Sequence, residues 1–258
     1  MIYEFVKIER HDKVLLVTLN RPSVYNAIHK PMHHELDKIW NDFAQDQELW
    51  VAILTGAGDK AFCAGNDLKY TASGEDTALP VSGFSGLTQR YDLEKPIIAA
   101  VNGFAMGGGF ETALSCDIIL ASNNAIFGLP EVKVGFLAAA SGIQRLSRYI
   151  GRIAAQEIML TGRSVAADEA LNLGIVNSLF PSDKLLEAAM AKAKEIASVS
   201  PSAVKATKRV LNDLTFKENL PESLKYSREV VSDLAKTEDF KEGINAFIEK
   251  RKPNWLNK

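Results

Sequence analysis

The chain has 258 residues, of which 47% are hydrophobic and 24% charged, with a formal net charge of −2. This length holds one large domain or a domain with an appendage, and the near-neutral balance supplies no global field toward nucleic acid or an acidic membrane. Cys63 and Cys116, both in apolar segments, are expected to be buried thiols in a reducing, cytoplasmic setting rather than a disulfide framework. The opening stretch MIYEFVKIERHDK lacks the apolar core of a signal peptide. No run of about 18 apolar residues marks a membrane span.

VLLVTLN (14–20) is a short apolar run rich in β-formers, predicted as a strand and ended by Pro22. Met32, Leu36, Ile39, Trp40 and Phe43 then recur at helical spacing. Just before them His29 and His33 stand four apart with Glu35 close by. A metal site is conceivable there, but Pro31 interrupts the spacing and no distant third ligand is marked. The expectation is a solvated helix start and no metal.

WVAILTGAGDKAF (50–62) reads as a strand followed by a glycine-rich loop. The small, polar stretch Tyr70 to Gly86 is expected to be a mobile loop. PIIAAVNGFAMGGGFETALSCDIILAS (96–122) reads as strand, glycine loop, helix, strand. VAADEALNLGIVNSLF (165–180) reads as a helix ending near Gly174 and another strand. The strands are continuous apolar runs, which suits sheets covered on both faces. After Pro201 three helical stretches follow without a strand. The predicted organisation is therefore an α/β core over residues 1–200 and a helical region over 201–258.

Gly107, Gly108 and Gly109 precede a helix that carries Glu111 one turn in. A glycine loop at a helix N-terminus leaves N–H groups that attract negative charge. Phosphate is one candidate, yet the Lys-Ser/Thr of a P-loop and the Rossmann glycine spacing are both absent, and Glu111 would repel it. An oxyanion hole is the other candidate. Glu111, on the same helix face as Gly108, then suits proton transfer or water holding beside a carbonyl. The loop Gly56 to Lys69, with Ala64-Gly65-Asn66-Asp67, is a second strand-to-helix glycine loop. Glu131, between Leu129 and Val132, is either a surface residue on a turn or a pocket carboxyl with a raised pKa.

These segments, taken with QRLSRYIG, TGRSVAADEALNLGIVN and FIEKRKPNW, resemble the enoyl-CoA hydratase/isomerase (crotonase) superfamily over nearly the full length and in the family's order. The resemblance implies a crotonase-like spiral of ββα turns with a C-terminal helical trimerisation region. It implies that the N–H groups of Asn66 and Gly108 bind a thioester oxygen and stabilise an enolate. It implies that Glu111 mainly activates water and Glu131 exchanges the proton at the α carbon. Ala64, Gly65, Asp67, Leu68, Gly107 and Ala139 fall at substrate-binding positions. Phe247 and Lys250 match positions where a neighbouring subunit's C-terminal helix meets the adenine and the 3′-phosphate of CoA.

The implied function is reversible syn hydration of a 2-enoyl-CoA, with no cofactor, because coenzyme A is part of the substrate. The implied partners are the acyl-CoA and further copies of this chain in a hexamer, a dimer of trimers, with neither nucleic acid nor membrane. The stretch GFSGLTQRYDLEKPIIAAVNGFAMGGGFETAL most resembles the carnitinyl-CoA dehydratase branch. One departure stands out: the family's P-G-A-G-G-x-Q-R-L is Ala138-Ala139-Ala140-Ser141-Gly142-Ile143-Gln144-Arg145-Leu146 here. Two alternatives remain at this stage, a Δ3,Δ2-enoyl-CoA isomerase and a non-catalytic acyl-CoA- or RNA-binding module. The pair Glu111 and Glu131 favours the hydratase. Cys63 has no expected nucleophilic role, and Asp67 and Asp117 read as anchors rather than catalysts.

Overall fold

A computed structural model describes residues 3–214, 226 and 229–258 of the chain, apart from the side chains of 213, 214, 247 and 248. The longest strands are β1 (Val6–His11), β2 (Val14–Leu19), β3 (Val51–Gly56), β5 (Ile97–Val101) and β7 (Ile118–Ser122). With β10 (Ser178–Phe180) they form a six-stranded sheet in the order β1-β2-β3-β5-β7-β10. Four shorter strands, β4 (Ala61–Cys63), β6 (Phe104–Met106), β8 (Ile126–Gly128) and β9 (Ser164–Ala166), form a second sheet in the order β4-β6-β8-β9.

The large sheet is covered on both faces, which is why its strands read as unbroken apolar runs. Val14, Leu16, Val51, Ile53, Ile98 and Ala100 face helix α7 (Leu185–Ala197), which buries Leu185, Ala189 and Ala193 against them. The alternate residues Leu15, Val17, Leu19, Ala52, Leu54, Ala99 and Val101 face the main core. There helix α1 (Lys30–Gln45) contributes Met32, Leu36, Ile39, Trp40 and Phe43, as its spacing predicts. β1 was not legible, because five of its six residues are exposed and it holds only the edge, antiparallel to β2.

Successive strands alternate between the sheets. β3 is followed by β4, β5 by β6 and β7 by β8, with β3, β5 and β7 parallel in one sheet and β4, β6 and β8 parallel in the other. A short helix α2 (Leu68–Ala72) closes the first turn and α3 (Gly108–Leu114) the second. This is the repeating ββα spiral. The glycine loop expected between β5 and α3 therefore contains a short strand, β6, whose three residues pair with β8 and of which Phe104 and Ala105 also pair with β4. The chain continues through α4 (Gly142–Ile150), α5 (Arg152–Thr161) and α6 (Ala167–Asn172), and after α7 through α8 (Pro201–Leu214) and α9 (Glu238–Glu249).

Two expectations need correction. His29 and His33 are not solvated: they are 8% and 2% exposed, and α1 turns His33 inward beside Met32 and Leu36. The stretch 70–86 is not uniformly loose either. Residues 71–79 are exposed, but Ser82, Phe84 and Ser85 are buried against α1. The expected helix over 221–236 lies partly outside the described residues. No described helix is long and apolar enough to cross a membrane, and no described cluster of His, Cys, Asp and Glu is set to hold a metal.

Candidate active site

Three neighbouring parallel strands of the small sheet each end at a candidate group. β4 ends at Cys63 and leads to Gly65 and Asn66; β6 ends at Met106 and leads to Gly107 and Gly108; β8 ends at Gly128 and leads to Glu131. Adjacent strands in a sheet lie about 4.8 Å apart, so the spiral stacks three loops that are far apart in sequence. The stacking is tight. A Cβ placed on Gly65 would stand 2.7 Å from Met106 O and 3.2 Å from Gly108 N. The Gly107 N–H donates to Gly128 O at 2.8 Å, which ties the second loop to the third.

Gly107 adopts φ 54°, ψ −128°, a conformation that side chains resist. It turns the chain from β6 straight into α3, whose first N–H groups have no intrahelical acceptor. Gly108 supplies the first of them, at the positive end of the helix dipole. The second expected donor is Asn66. In the bridge between residues 28 and 66, Gly65 O accepts from Ile28 N at 2.8 Å and Asp67 N donates to Ile28 O at 3.0 Å. Gly65 O faces Ile28, and across the same planar trans peptide the N–H of Asn66 faces the opposite way. Asp67 caps α2 by accepting from Tyr70 N at 3.1 Å and pairs with Arg21 at 2.9 Å. It is the anchor that the sequence suggested. Asp117 likewise accepts from Ile97 N and pairs with Lys208.

The two glutamates belong to one site. Glu111, on the first turn of α3, is 3% exposed, and its Oε1 accepts from Gly142 N at 2.7 Å. Burial pushes its pKa up to about 7, aided by the charge of Glu131 and opposed by the N–H of Gly142. Glu131 sits in the turn Pro130–Val134. Burial also raises its pKa, and its Oε2 is buried without a hydrogen-bond partner. A Cβ on Gly107 would lie 3.0 Å from Glu131 Oε1. Of the two readings open for Glu131, the pocket carboxyl is the one observed.

The departing stretch Ala138–Ser141 leads into α4 and sets its N-terminus on Glu111. Ser141 takes left-handed angles, φ 90°, ψ 2°, and its hydroxyl accepts from Arg145 Nε at 3.0 Å. The next N–H, that of Gly142, is the one held by Glu111. A Cβ at Gly142 would sit 2.9 Å from Glu111 Oε1. Sequence reasoning missed Gly142; the signal was a lone glycine before the amphipathic IQRLSRYI. It also missed Phe84, whose ring packs on Gly108, because an isolated aromatic in a polar stretch has no periodicity to mark it.

Other expected site residues lie where their loops put them. Ala64 and Leu68 are exposed beside Asn66, and Ala139 is exposed between buried Ala138 and half-buried Ala140. Lys250 is exposed at the end of α9, and the side chain of Phe247 lies outside the described residues. Cys63 is fully buried with its thiol pushed up to about 12, which leaves no thiolate for nucleophilic attack. A cavity of about 210 Å³ lies elsewhere, between α8 and the C-terminal residues, lined by Lys205, Arg209 and Asn257 among others.

The start of α3 at Gly108, the adjoining loop of Gly65 and Asn66, and two carboxyls of raised pKa lie together at the ends of β4, β6 and β8, an arrangement able to polarise a carbonyl oxygen and to move protons beside it. The comparisons with known proteins agree. The family description Enoyl-CoA hydratase/isomerase matches residues 9–258. A carnitinyl-CoA dehydratase of Citrobacter koseri is 40% identical over 258 residues, 98% of each chain. A short-chain-enoyl-CoA hydratase of Clostridium acetobutylicum is 40% identical, covering 96% of this chain and 95% of its own. The crystal structure of an enoyl-CoA hydratase from Mycobacterium tuberculosis superposes with a TM-score of 0.93 at 38% identity, covering 98% and 99% of the two chains. The chain belongs to the enoyl-CoA hydratase/isomerase family.

Proposed function

We propose that the protein is an enoyl-CoA hydratase that adds water reversibly, on one face, to the double bond of a 2-enoyl-CoA thioester. The observation that carries this reading is the meeting of Glu111 and Glu131 at the turn that presents Gly108. In the hydration direction the thioester oxygen accepts from the N–H groups of Asn66 and Gly108. Ionised Glu111 takes a proton from water as its oxygen attacks the β carbon. The electron pair of the double bond moves toward the thioester, giving an enolate that the two N–H groups stabilise. Protonated Glu131 then delivers its proton to the α carbon. One carboxyl gains a proton and the other loses one, so a proton exchange resets the pair. An isomerase needs no bound water and hence no second carboxyl facing it, so the pair supports the hydratase over that alternative and over a non-catalytic module. Ala64, Gly65, Asp67, Leu68, Gly107 and Ala139 line the approach of the thioester in this reading, and coenzyme A enters with the substrate, so no separate cofactor is called for.

The assembly belongs to the same proposal. Val134, Phe136, Ile153 and Leu160 are 64–87% exposed in the single chain, apolar side chains that an interface would take out of water. A dimer of trimers that covers such faces, and brings Phe247 and Lys250 of one copy toward the CoA of another, accounts for them. Two separately buried thiols fit a cytoplasmic location. The activity test is loss of conjugated-thioester absorbance when purified protein meets crotonyl-CoA, followed by aromatic, branched and crotonobetainyl thioesters. Turnover with water incorporated at the β carbon is expected. Double-bond migration without water uptake would replace the hydratase by the isomerase.

A further inference from the structure

The loop that carries Phe84 is held far more firmly than its polar sequence suggests. Ser85 stands in the left-handed region at φ 53°, ψ 19°, which residues with a side chain resist. Three buried contacts hold it there. Ser85 N donates to His33 Nδ1 at 2.9 Å, Trp40 Nε1 donates to Ser85 O at 3.1 Å, and the Thr112 hydroxyl lies 2.9 Å from that of Ser85. The next residue, Gly86, touches the backbone of α1 so closely that a Cβ would meet Asp37 N at 2.4 Å. The His33 ring also packs edge-on to Phe84, with centroids 4.5 Å apart. Burial keeps His33 neutral, with its pKa near 3, so Nδ1 stays an acceptor through ordinary pH.

What this set touches next is Gly108. A Cβ on Gly108 would stand 2.5–2.8 Å from three atoms of the Phe84 ring, and the Thr112 hydroxyl donates to Gly108 O at 2.7 Å. Gly108 has no side chain to restrict its own two dihedrals, and glycine is the residue with the most backbone freedom to lose. A donor that must point at a developing charge gains from being fixed before the reaction. Phe84 fills the side-chain place on one side of Gly108, and Thr112 holds its carbonyl on the other.

We propose that His33 and Ser85, acting through the Phe84 ring, and Thr112, acting on the Gly108 carbonyl, are positioning residues that immobilise Gly108 as an oxyanion donor. The inference rests on the reading of Gly108 as that donor. It also gives buried His33 a task, since its ring nitrogen is the acceptor that keeps Ser85 left-handed.

The test measures turnover on the best hydration substrate, and the carbonyl stretch of bound butyryl-CoA, a saturated thioester that is not hydrated, by isotope-edited infrared difference spectroscopy. His33→Ala removes the acceptor. His33→Asn restores one close to the place of Nδ1. Thr112→Val removes the hydroxyl and keeps the shape. For His33→Ala, kcat is expected to fall about 10–100-fold, since small displacements of catalytic geometry carry losses of that order. KM is expected to stay within about threefold, the pattern of an interaction made in the transition state. The low-frequency carbonyl shift should shrink in His33→Ala and in Thr112→Val and largely return in His33→Asn. A folded His33→Ala of native oligomer size with native kcat and a full carbonyl shift overturns the inference. If His33→Ala does not fold, a full shift in Thr112→Val and in Phe84→Leu overturns it. A native protein that binds butyryl-CoA without any shift instead sinks the donor reading of Gly108 itself.

Discussion

In the proposed reaction Glu111 and Glu131 carry the chemistry, and their surroundings set what each is able to do. Glu111 loses hydration in the core, which the backbone N–H groups of Gly142 and Ala140 only partly offset, so its pKa rises from 4.5 to about 7. Between those two values the native state holds a proton that the unfolded chain has released. Stability therefore falls as pH rises through that window and carries the full cost, on the order of 3 kcal/mol, above it. Glu111→Gln keeps an oxygen for Gly142 and removes the charge. Its melting temperature is expected to exceed the native value at pH 8, with the gap narrowing toward pH 5 in thermal scans. The same substitution should depress hydration by about 10²–10⁴, as should Glu131→Gln. If either variant keeps native turnover, that carboxyl is outside the mechanism. Hydration needs the ionised form of Glu111, so kcat/KM should drop as pH falls below about 7, and Glu111→Gln should lose that limb. The limbs of such a profile belong to the pair of carboxyls rather than to one of them.

At the scale of elements, the site is a property of strand ends. β4, β6 and β8 are three residues long and parallel, and each hands its loop to the same side of the small sheet. The glycines of the middle loop have separate duties. Gly107 makes the positive-φ turn. Gly108 stands under the Phe84 ring, a side-chain neighbour rather than backbone. Gly109 faces Cys63 O, where a Cβ would come within 2.1 Å of rigid backbone. Gly109→Ala is therefore expected to cost at least the 1–3 kcal/mol typical of overpacking, with no single side-chain change relieving it, as urea unfolding would record. Gly108→Ala should fold and lose turnover, and Phe84→Leu added to it should recover part of that turnover by vacating the clash. Failure of the double variant to improve on the single one would place the fault elsewhere than in the ring.

At the scale of the whole molecule, the two sheets and the helices around them leave apolar side chains facing water on α5 and on the loop before α4, Ile153 and Phe136 among them. The proposed dimer of trimers predicts a particle of six chains by light scattering at micromolar concentration, and a monomer there would refute it. The C-terminal region is tied to the core in the described residues. Arg209 pairs with Glu94, Lys208 reaches Lys95 O, and the Trp255 indole donates to Ser198 O. Neutralising Arg209 is thus expected to loosen α8, which shows as a lower melting temperature and faster proteolysis after residue 200. The pair is partly exposed, so the stability change should stay near the 0–1 kcal/mol of surface ion pairs.

Much was legible from the sequence by itself. Unbroken apolar runs announced a sheet covered on both faces, because alternate residues of β2, β3 and β5 meet different helices. The spacing of Met32, Leu36, Ile39, Trp40 and Phe43 announced α1. The motif order around Gly65, Gly108 and Glu131 announced the family. These are local patterns, set by the two-residue and 3.6-residue periods of side chains. Tertiary structure alone decided the rest. Glu131 was either a surface or a pocket carboxyl until β8 was stacked on β6. His33 looked like part of a solvated helix start, since the sequence does not show which face of α1 the loop 82–88 will cover. The same holds for Ser85 and Gly142: each owes its role to a contact more than thirty residues away, Ser85 to His33 and Gly142 to Glu111. Contacts of that range come from the winding of the spiral, which no period in the chain encodes.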